Sequence, residues 1–226
     1  YVCMQHEQAA AMAAESYARL RGVPGATVAT SGPGAINLIS GICCAWFDSI
    51  PIINLTGQVN IDETKGESGV RQLGFQETEV AGMMSSITKF SHQLQDPQRV
   101  RYVLEEAFYR ATSGRPGPVL IDIPLNVQHA DIDPDTLIGF TPPAELTIPA
   151  STLEAHVKEV YQLLASAERP LIIAGSGIKI ARSVHEFRAL LEKLNIPMVP
   201  SWSGIDIMGH DHPLFVGQYG VYGNRG

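Results

Sequence analysis

A carboxylate stands at the head of an alanine-rich run in His6-Glu7-Gln8, and the next strand-like segment ends in Thr30-Ser31-Gly32-Pro33-Gly34. Open α/β sheets hold ligands outside the carboxyl ends of their strands, so an acidic side chain beside such a turn suits proton control over a bound small molecule. Gly32 and Gly34 fit a turn where backbone approaches a ligand or takes dihedrals closed to other residues. Two plainer readings stand beside this one. A first-turn glutamate is favoured by the helix dipole alone, and most glycine-proline turns are connectors. Asn37, one helical turn further on, suits a ligand contact or a hydrogen bond between helices.

Three other groups of residues carry possible chemistry. Phe75-Gln76 sets an aromatic wall beside an amide, able to hold an acyl group and orient its oxygen; it also reads as a core phenylalanine with a surface glutamine. Arg115, in Gly114-Arg115-Pro116-Gly117-Pro118, has a guanidinium fork suited to a diphosphate or a ring carbonyl, or is a plain loop charge. Gly175-Ser176-Gly177 invites a dinucleotide reading, but the third glycine position is Ile180, and the next strand ends at Pro200-Ser201 with no acidic residue for a ribose. His210 and His212 flank Asp211 beside Pro213 without partners at zinc-like spacing, so no metal site is read here.

The elements that position these residues follow from period and punctuation. Residues 6–20 are predicted to form a helix stopped by Gly22, and 26–30 a strand. A largely apolar helical pattern covers 35–47, and 51–55 is a second buried strand. Residues 60–74 are polar and glycine-bearing and read as a loop. A helix from Asp96-Pro97 to about Gly114 precedes a strand at 119–123. Strands without polar alternation, separated by helices, predict an α/β fold with a parallel sheet covered on both faces. Four of the chain's 15 prolines fall in 131–149, so 1–130 is read as one domain and 131–150 as an extended linker. Residues 151–226 are read as part of a second, Rossmann-like α/β domain, with helices at 153–167 and 183–194 and strands at 171–174 and 197–200.

With 226 residues, 45% hydrophobic and 17% charged, the chain has ordinary globular composition. A net charge of -7 argues against nucleic acid or an anionic membrane as the main partner. No apolar stretch approaches the roughly 18 residues that span a bilayer. Cys3, Cys43 and Cys44 form no disulfide framework and read as buried, reduced thiols, which suggests a cytoplasmic protein. Both ends are abrupt, so the sequence reads as a piece of a longer one.

Residues 1–128 resemble the pyrimidine-binding domain of thiamine-diphosphate-dependent enzymes of the acetolactate synthase group. The resemblance is carried by His6-Glu7-Gln8, Thr30-Ser31-Gly32-Pro33-Gly34, Asp48-Ser49-Ile50-Pro51, Thr56-Gly57-Gln58, Phe75-Gln76-Glu77 and Gly114-Arg115-Pro116-Gly117-Pro118-Val119, in family order. It implies carboligation or decarboxylation of a 2-oxo acid. In that role Glu7 would hydrogen-bond N1′ of the cofactor's aminopyrimidine, and Thr30, Gly32, Gly34 and Asn37 would lie beside the pyrimidine or at a subunit interface. Phe75 and Gln76 would line the substrate entrance, and Arg115 would match an arginine that contacts FAD in flavin-containing members. The resemblance also implies a homodimer or homotetramer, with apolar Ile36, Leu38, Ile39 and Ile42 as candidate contacts or as residues buried against their own sheet. Mg²⁺ and the cofactor's diphosphate would be held by a Gly-Asp-Gly segment that this sequence does not contain, which makes the piece alone incomplete.

Two departures from the family pattern stand out. Flavin-containing synthases tend to have Gly-Met-His-Gly where this chain has Gly217-Gln218-Tyr219-Gly220, so the resemblance leaves FAD open. Acetolactate synthases typically have a lysine after the Ile-Pro that ends the strand near the substrate entrance; here it is Leu125. The alternative to an enzyme is a binding module or non-catalytic homologue on the same fold, and Glu7 discriminates between them, since such a homologue has no need of a carboxylate there.

Overall fold

In the computed structural model, residues 1–144 and 147–224 are described. Contacts divide the chain into two compact units, Tyr1–Pro142 and Pro143–Gly226.

Helix α1 (Glu7–Arg21) starts at an extended His6, whose Nδ1 accepts from the Gln8 N–H at 3.2 Å, and stops where Gly22 turns left-handed at φ 68°. Its inner face is made of Ala11, Ala14 and Ala18. A Cβ on Gly25 would lie 2.2 Å from the Ala14 carbonyl oxygen, and one on Gly41 2.4 Å from Ala11 Cβ. The alanine-glycine pairing therefore brings strand β1 (Gly25–Ala29) and the helix after it against α1 at distances no larger side chain permits.

The predicted helix over 35–47 begins earlier and is interrupted. It forms α2 (Pro33–Asn37) and α3 (Ile39–Asp48), joined at Leu38. Strand β2 (Ile52–Gln58) outruns its predicted end by three residues, because Thr56 and Gln58 alternate inward and are buried by polar partners rather than starting a turn. After the irregular stretch from Asn60 come α4 (Val80–Met84) and β3 (Phe90–Gln93), neither of them predicted. Next are α5 (Val100–Thr112), β4 (Val119–Pro124) and the short α6 (Leu125–Gln128). The sheet runs β1-β2-β4-β3, every pair parallel. Strand β4 is buried on both sides. Leu120 joins a core with Leu38, Ile42, Ile52 and Met84, while Val119 and Ile121 join one with Leu94, Val103 and Ala107. All four carboxyl ends thus open on one edge.

Residues 131–142 have no regular structure but lie along α5: Leu137 is buried, and Phe140 meets Tyr102 edge-on at 5.4 Å while its N–H donates to Glu105 Oε2 at 2.6 Å. The second unit contains α7 (Ala150–Ser166), β5 (Ile172–Ala174), α8 (Gly177–Ile180), α9 (Val184–Leu194) and β6 (Met198–Pro200). Strands β5 and β6 are parallel, over a core of Ala174, Leu191, Met198, Ile207 and Met208. Residues 145 and 146 of the expected linker, and Arg225 and Gly226, lie outside the described residues.

Burial corrects one expectation and decides between the two readings of another. Cys44 and Cys3 are exposed and Cys43 half-buried, so these free thiols are not core residues; the apolar run around 43–44 alternates between the α3 interior and its surface. Leu38 and Ile42 are wholly buried in their own core, which removes them from any subunit contact, whereas Ile36 is exposed. Among the described residues no helix is long and apolar enough to cross a membrane.

Candidate functional site

Glu7 is the first residue of α1, and it is half-buried. Its Oε2 accepts from Asn37 Nδ2 at 3.0 Å, so the last residue of α2 holds the first carboxylate of α1. That amide, with Glu7's own backbone N–H and the neighbouring His6, keeps the carboxyl below the usual carboxylate range against the opposing effect of burial. The group is ionised at neutral pH. Asn37 is thus an interhelical hydrogen bonder, and through that bond a partner of the candidate catalytic residue.

Between the two helices glycine permits a close approach. A Cβ on Gly34 would sit 2.8 Å from Thr30 Cγ2 and 3.3 Å from Glu7 Oε1. Gly32 adopts φ 59° and ψ -120°, and a Cβ there would lie 2.7 Å from the Gln76 carbonyl oxygen and 2.9 Å from Gln76 Cβ. Both glycines are therefore required by geometry, one for the turn and the other for the close packing of that turn against the carboxylate. The sequence-predicted group Glu7, Thr30, Gly32, Gly34 and Asn37 forms one cluster, and Gln76 touches it.

Phe75 is 84% exposed, which excludes the core reading of its ring. Beside the cluster, at the carboxyl ends of β1, β2 and β4, lies a cleft of about 650 Å³ lined by Thr30, Ser31, Thr56, Gln58, Glu63 and Leu125 among others. Glu7, Asn37 and Gln76 are not among its lining residues; Thr30 joins cleft and cluster. The lining is mostly apolar, with Val28, Leu55, Val59 and Ile123, and Glu63 supplies its one carboxylate. Leu125 faces solvent and cleft at 43% exposure.

Arg115 stands apart. It precedes β4, donates through Nε to Ser49 Oγ at 2.6 Å, and borders a groove with Trp46, Phe47, Lys89 and Pro116 at the amino edge of the sheet. Gly217 and Gly220 belong to the second unit, where both have positive φ, 152° and 132°.

Residues that sequence reasoning missed lie behind the cleft. Asp122 is fully buried in β4 and accepts from Thr56 Oγ1 at 2.7 Å, Gln58 Nε2 at 3.0 Å and Gln93 Nε2 at 3.1 Å. Burial pushes its carboxyl up, and those three donors oppose the shift. Gln58 Nε2 also donates to the Thr78 carbonyl at 2.7 Å. The available signal was a single acid inside the apolar run Val119-Leu120-Ile121-Asp122-Ile123.

Residues 1–83 match the family described as thiamine pyrophosphate enzyme, N-terminal TPP binding domain, and residues 157–226 match its central domain. The chain belongs to the thiamine pyrophosphate enzymes. Acetolactate synthases are among its relatives. A probable acetolactate synthase large subunit of Methanocaldococcus jannaschii is 37% identical over 230 residues, covering 100% of this chain and 37% of that protein. Acetolactate synthase isozyme 2 large subunit of Escherichia coli is 37% identical over 225 residues, covering 100% of the chain and 39% of that protein. A chloroplastic acetolactate synthase 2 of Nicotiana tabacum is 35% identical, with 98% of the chain and 32% of that protein covered. The chain spans less than two fifths of the length of these thiamine pyrophosphate enzymes.

Proposed function

We propose that the protein carries out thiamine-diphosphate-dependent carboligation or decarboxylation of a 2-oxo acid, with Glu7 as the residue that controls the cofactor's aminopyrimidine. The observation that carries this reading is the ionised Glu7 carboxylate, oriented by Asn37 and packed directly against buried Gly34 of the glycine turn. A heteroaromatic ring with an N–H donor suits such a carboxylate, which accepts through the oxygen that Asn37 leaves free, and Thr30 joins the carboxylate's surroundings to the cleft. The bound cofactor supplies the electron sink for carbon-carbon bond chemistry. Glu7 accepts the hydrogen bond, Asn37 fixes which oxygen does so, and the apolar walls at Val28, Leu55 and Val59 limit water in the cleft.

The Mg²⁺ and diphosphate site is assigned to sequence outside this chain, and the second half of the active site to another subunit in a homodimer or homotetramer. The exposed Ile36 and the Glu7 to Asn37 surface suit that contact. Arg115, on the far edge of the sheet, is kept as the residue for FAD should the protein bind it. The free thiols fit a reducing, cytoplasmic setting. Leu125 in the cleft offers no cation to a 2-oxo acid carboxylate, and Glu63 repels one, so acetolactate formation from two pyruvates is not the preferred reaction of this site. A non-catalytic homologue has no use for an oriented carboxylate at position 7.

The decisive experiment is Glu7→Gln in the intact protein, read by exchange of the cofactor's C2 proton. The near-isosteric change should slow exchange by about 100-fold or more with the fold intact. Exchange at the native rate would remove Glu7 from the chemistry.

A further inference from the structure

We propose that Glu77 is a positioning residue, whose carboxylate closes the loop over residues 65–73 and thereby holds Gln76 against the Gly32 turn. Its Oε1 accepts from the Lys65 N–H at 2.5 Å and its Oε2 from the Leu73 N–H at 2.8 Å. Two backbone donors far apart in the chain are gathered by one side chain. A carboxylate can do this because both oxygens accept; a carboxamide has one accepting oxygen and would present its NH₂ to the other donor. Burial alone would raise the Glu77 carboxyl, yet the N–H groups of Leu73, Lys65 and Gly74 outweigh it and hold the group below the usual carboxylate range.

The loop so closed contains no helix or strand, and it has left-handed glycines at 66 and 69. Few other bonds shape it: Ser68 Oγ donates to the Lys65 carbonyl at 2.5 Å, and Gln72 Nε2 to that of Gly74 at 2.8 Å. Immediately after it, Gln76 is held at φ 60°, a conformation that a non-glycine residue keeps only where its surroundings fix it.

Those surroundings are on both sides of Gln76. Gly32 leaves room for the Gln76 backbone and Cβ. A Cβ on Gly74 would meet Val59 Cγ2 and the Glu63 carbonyl oxygen at 2.9 Å each, and both of those residues line the cleft. One residue past Glu77, the Thr78 carbonyl is tied through Gln58 to buried Asp122. The segment carrying Phe75 and Gln76 is thus pinned to the sheet edge on one side and latched to its own loop on the other. That this pinning matters to substrate rests on the proposed reading of the cleft and cluster as the cofactor and substrate site.

Hydrogen exchange tests the latch without reference to activity. In the intact protein, Glu77→Gln should make the Lys65 and Leu73 amides exchange about tenfold faster or more, with core amides such as Leu120 unchanged. Equal exchange in variant and native protein overturns the latch. Steady-state kinetics test the positioning: Glu77→Gln should raise KM for the 2-oxo acid about fivefold or more with kcat held within about twofold, and Glu77→Asp, which keeps two accepting oxygens, should fall between. Faster loop exchange with an unchanged KM overturns the positioning role and leaves the proposed reaction standing. Should Glu77→Gln fail to fold, the native protein still decides, since Lys65 and Leu73 amides exchanging at the rate of an open peptide contradict the latch.

Discussion

Asn37 Nδ2 donates to Glu7 Oε2 at 3.0 Å, so the end of one helix fixes the first side chain of another where that side chain packs against Gly34. Neither residue is held by the sheet itself. The Asn37 amide is the largest of the influences that hold the carboxylate below its ordinary range, ahead of Glu7's own backbone N–H and the neighbouring His6.

Asn37→Ala should raise the Glu7 titration midpoint, because the largest influence lowering it is removed. The sign for stability follows. A carboxyl lowered on folding contributes stability above its unfolded value, about 4.3, and loses it as pH falls through the folded one. The native protein should exceed the variant by a few tenths of a kcal/mol at pH 7, since solvent screens so open a carboxylate, with the gap closing as pH falls below the unfolded value. Carboxyl NMR titration and denaturant unfolding measure the two effects; an unmoved Glu7 midpoint contradicts the account.

Asp122→Ala should destabilise the first unit by about 3–5 kcal/mol. It leaves Thr56 Oγ1 and the amides of Gln58 and Gln93 facing a vacated acceptor inside the sheet. Urea unfolding would read it. A loss under about 1 kcal/mol would mean that water or repacking satisfies those donors.

On the proposed reading of Leu125 as a cleft residue that selects the substrate, steady-state kinetics on pyruvate, glyoxylate and an acyl-CoA should rank pyruvate below one of the others. Leu125→Lys should improve kcat/KM for pyruvate by about tenfold, through a cation beside the carboxylate. Pyruvate as the best substrate of the native protein would show that the anion is recognised elsewhere.

The parallel sheet and its buried strands were legible because apolar runs bounded by glycine and proline admit few alternatives. The sequence predicts an end to strand β2 at Leu55, where Thr56-Gly57-Gln58 has a turn-like composition, and only the buried Asp122 opposite Thr56 explains why those polar residues continue a ladder. Strand β3 escaped because Phe90-Ser91-His92-Gln93 is half-buried throughout and shows neither an apolar run nor clean alternation. At the site, Glu7 and the glycine turn could be read from type and spacing. Glu77 and Gln58 could not, because their roles are set by backbone groups that only the folded loop brings near.

Arg115 and the cleft lie at opposite ends of β4, whose 6 residues separate them by roughly 20 Å at 3.3 Å per residue. A strand buried on both faces is a stiff spacer. Whatever occupies the amino edge and whatever occupies the carboxyl edge are accordingly insulated from one another within this unit, so substitutions at Arg115 and at the cleft residue Leu125 act as independent perturbations, their energies summing instead of coupling.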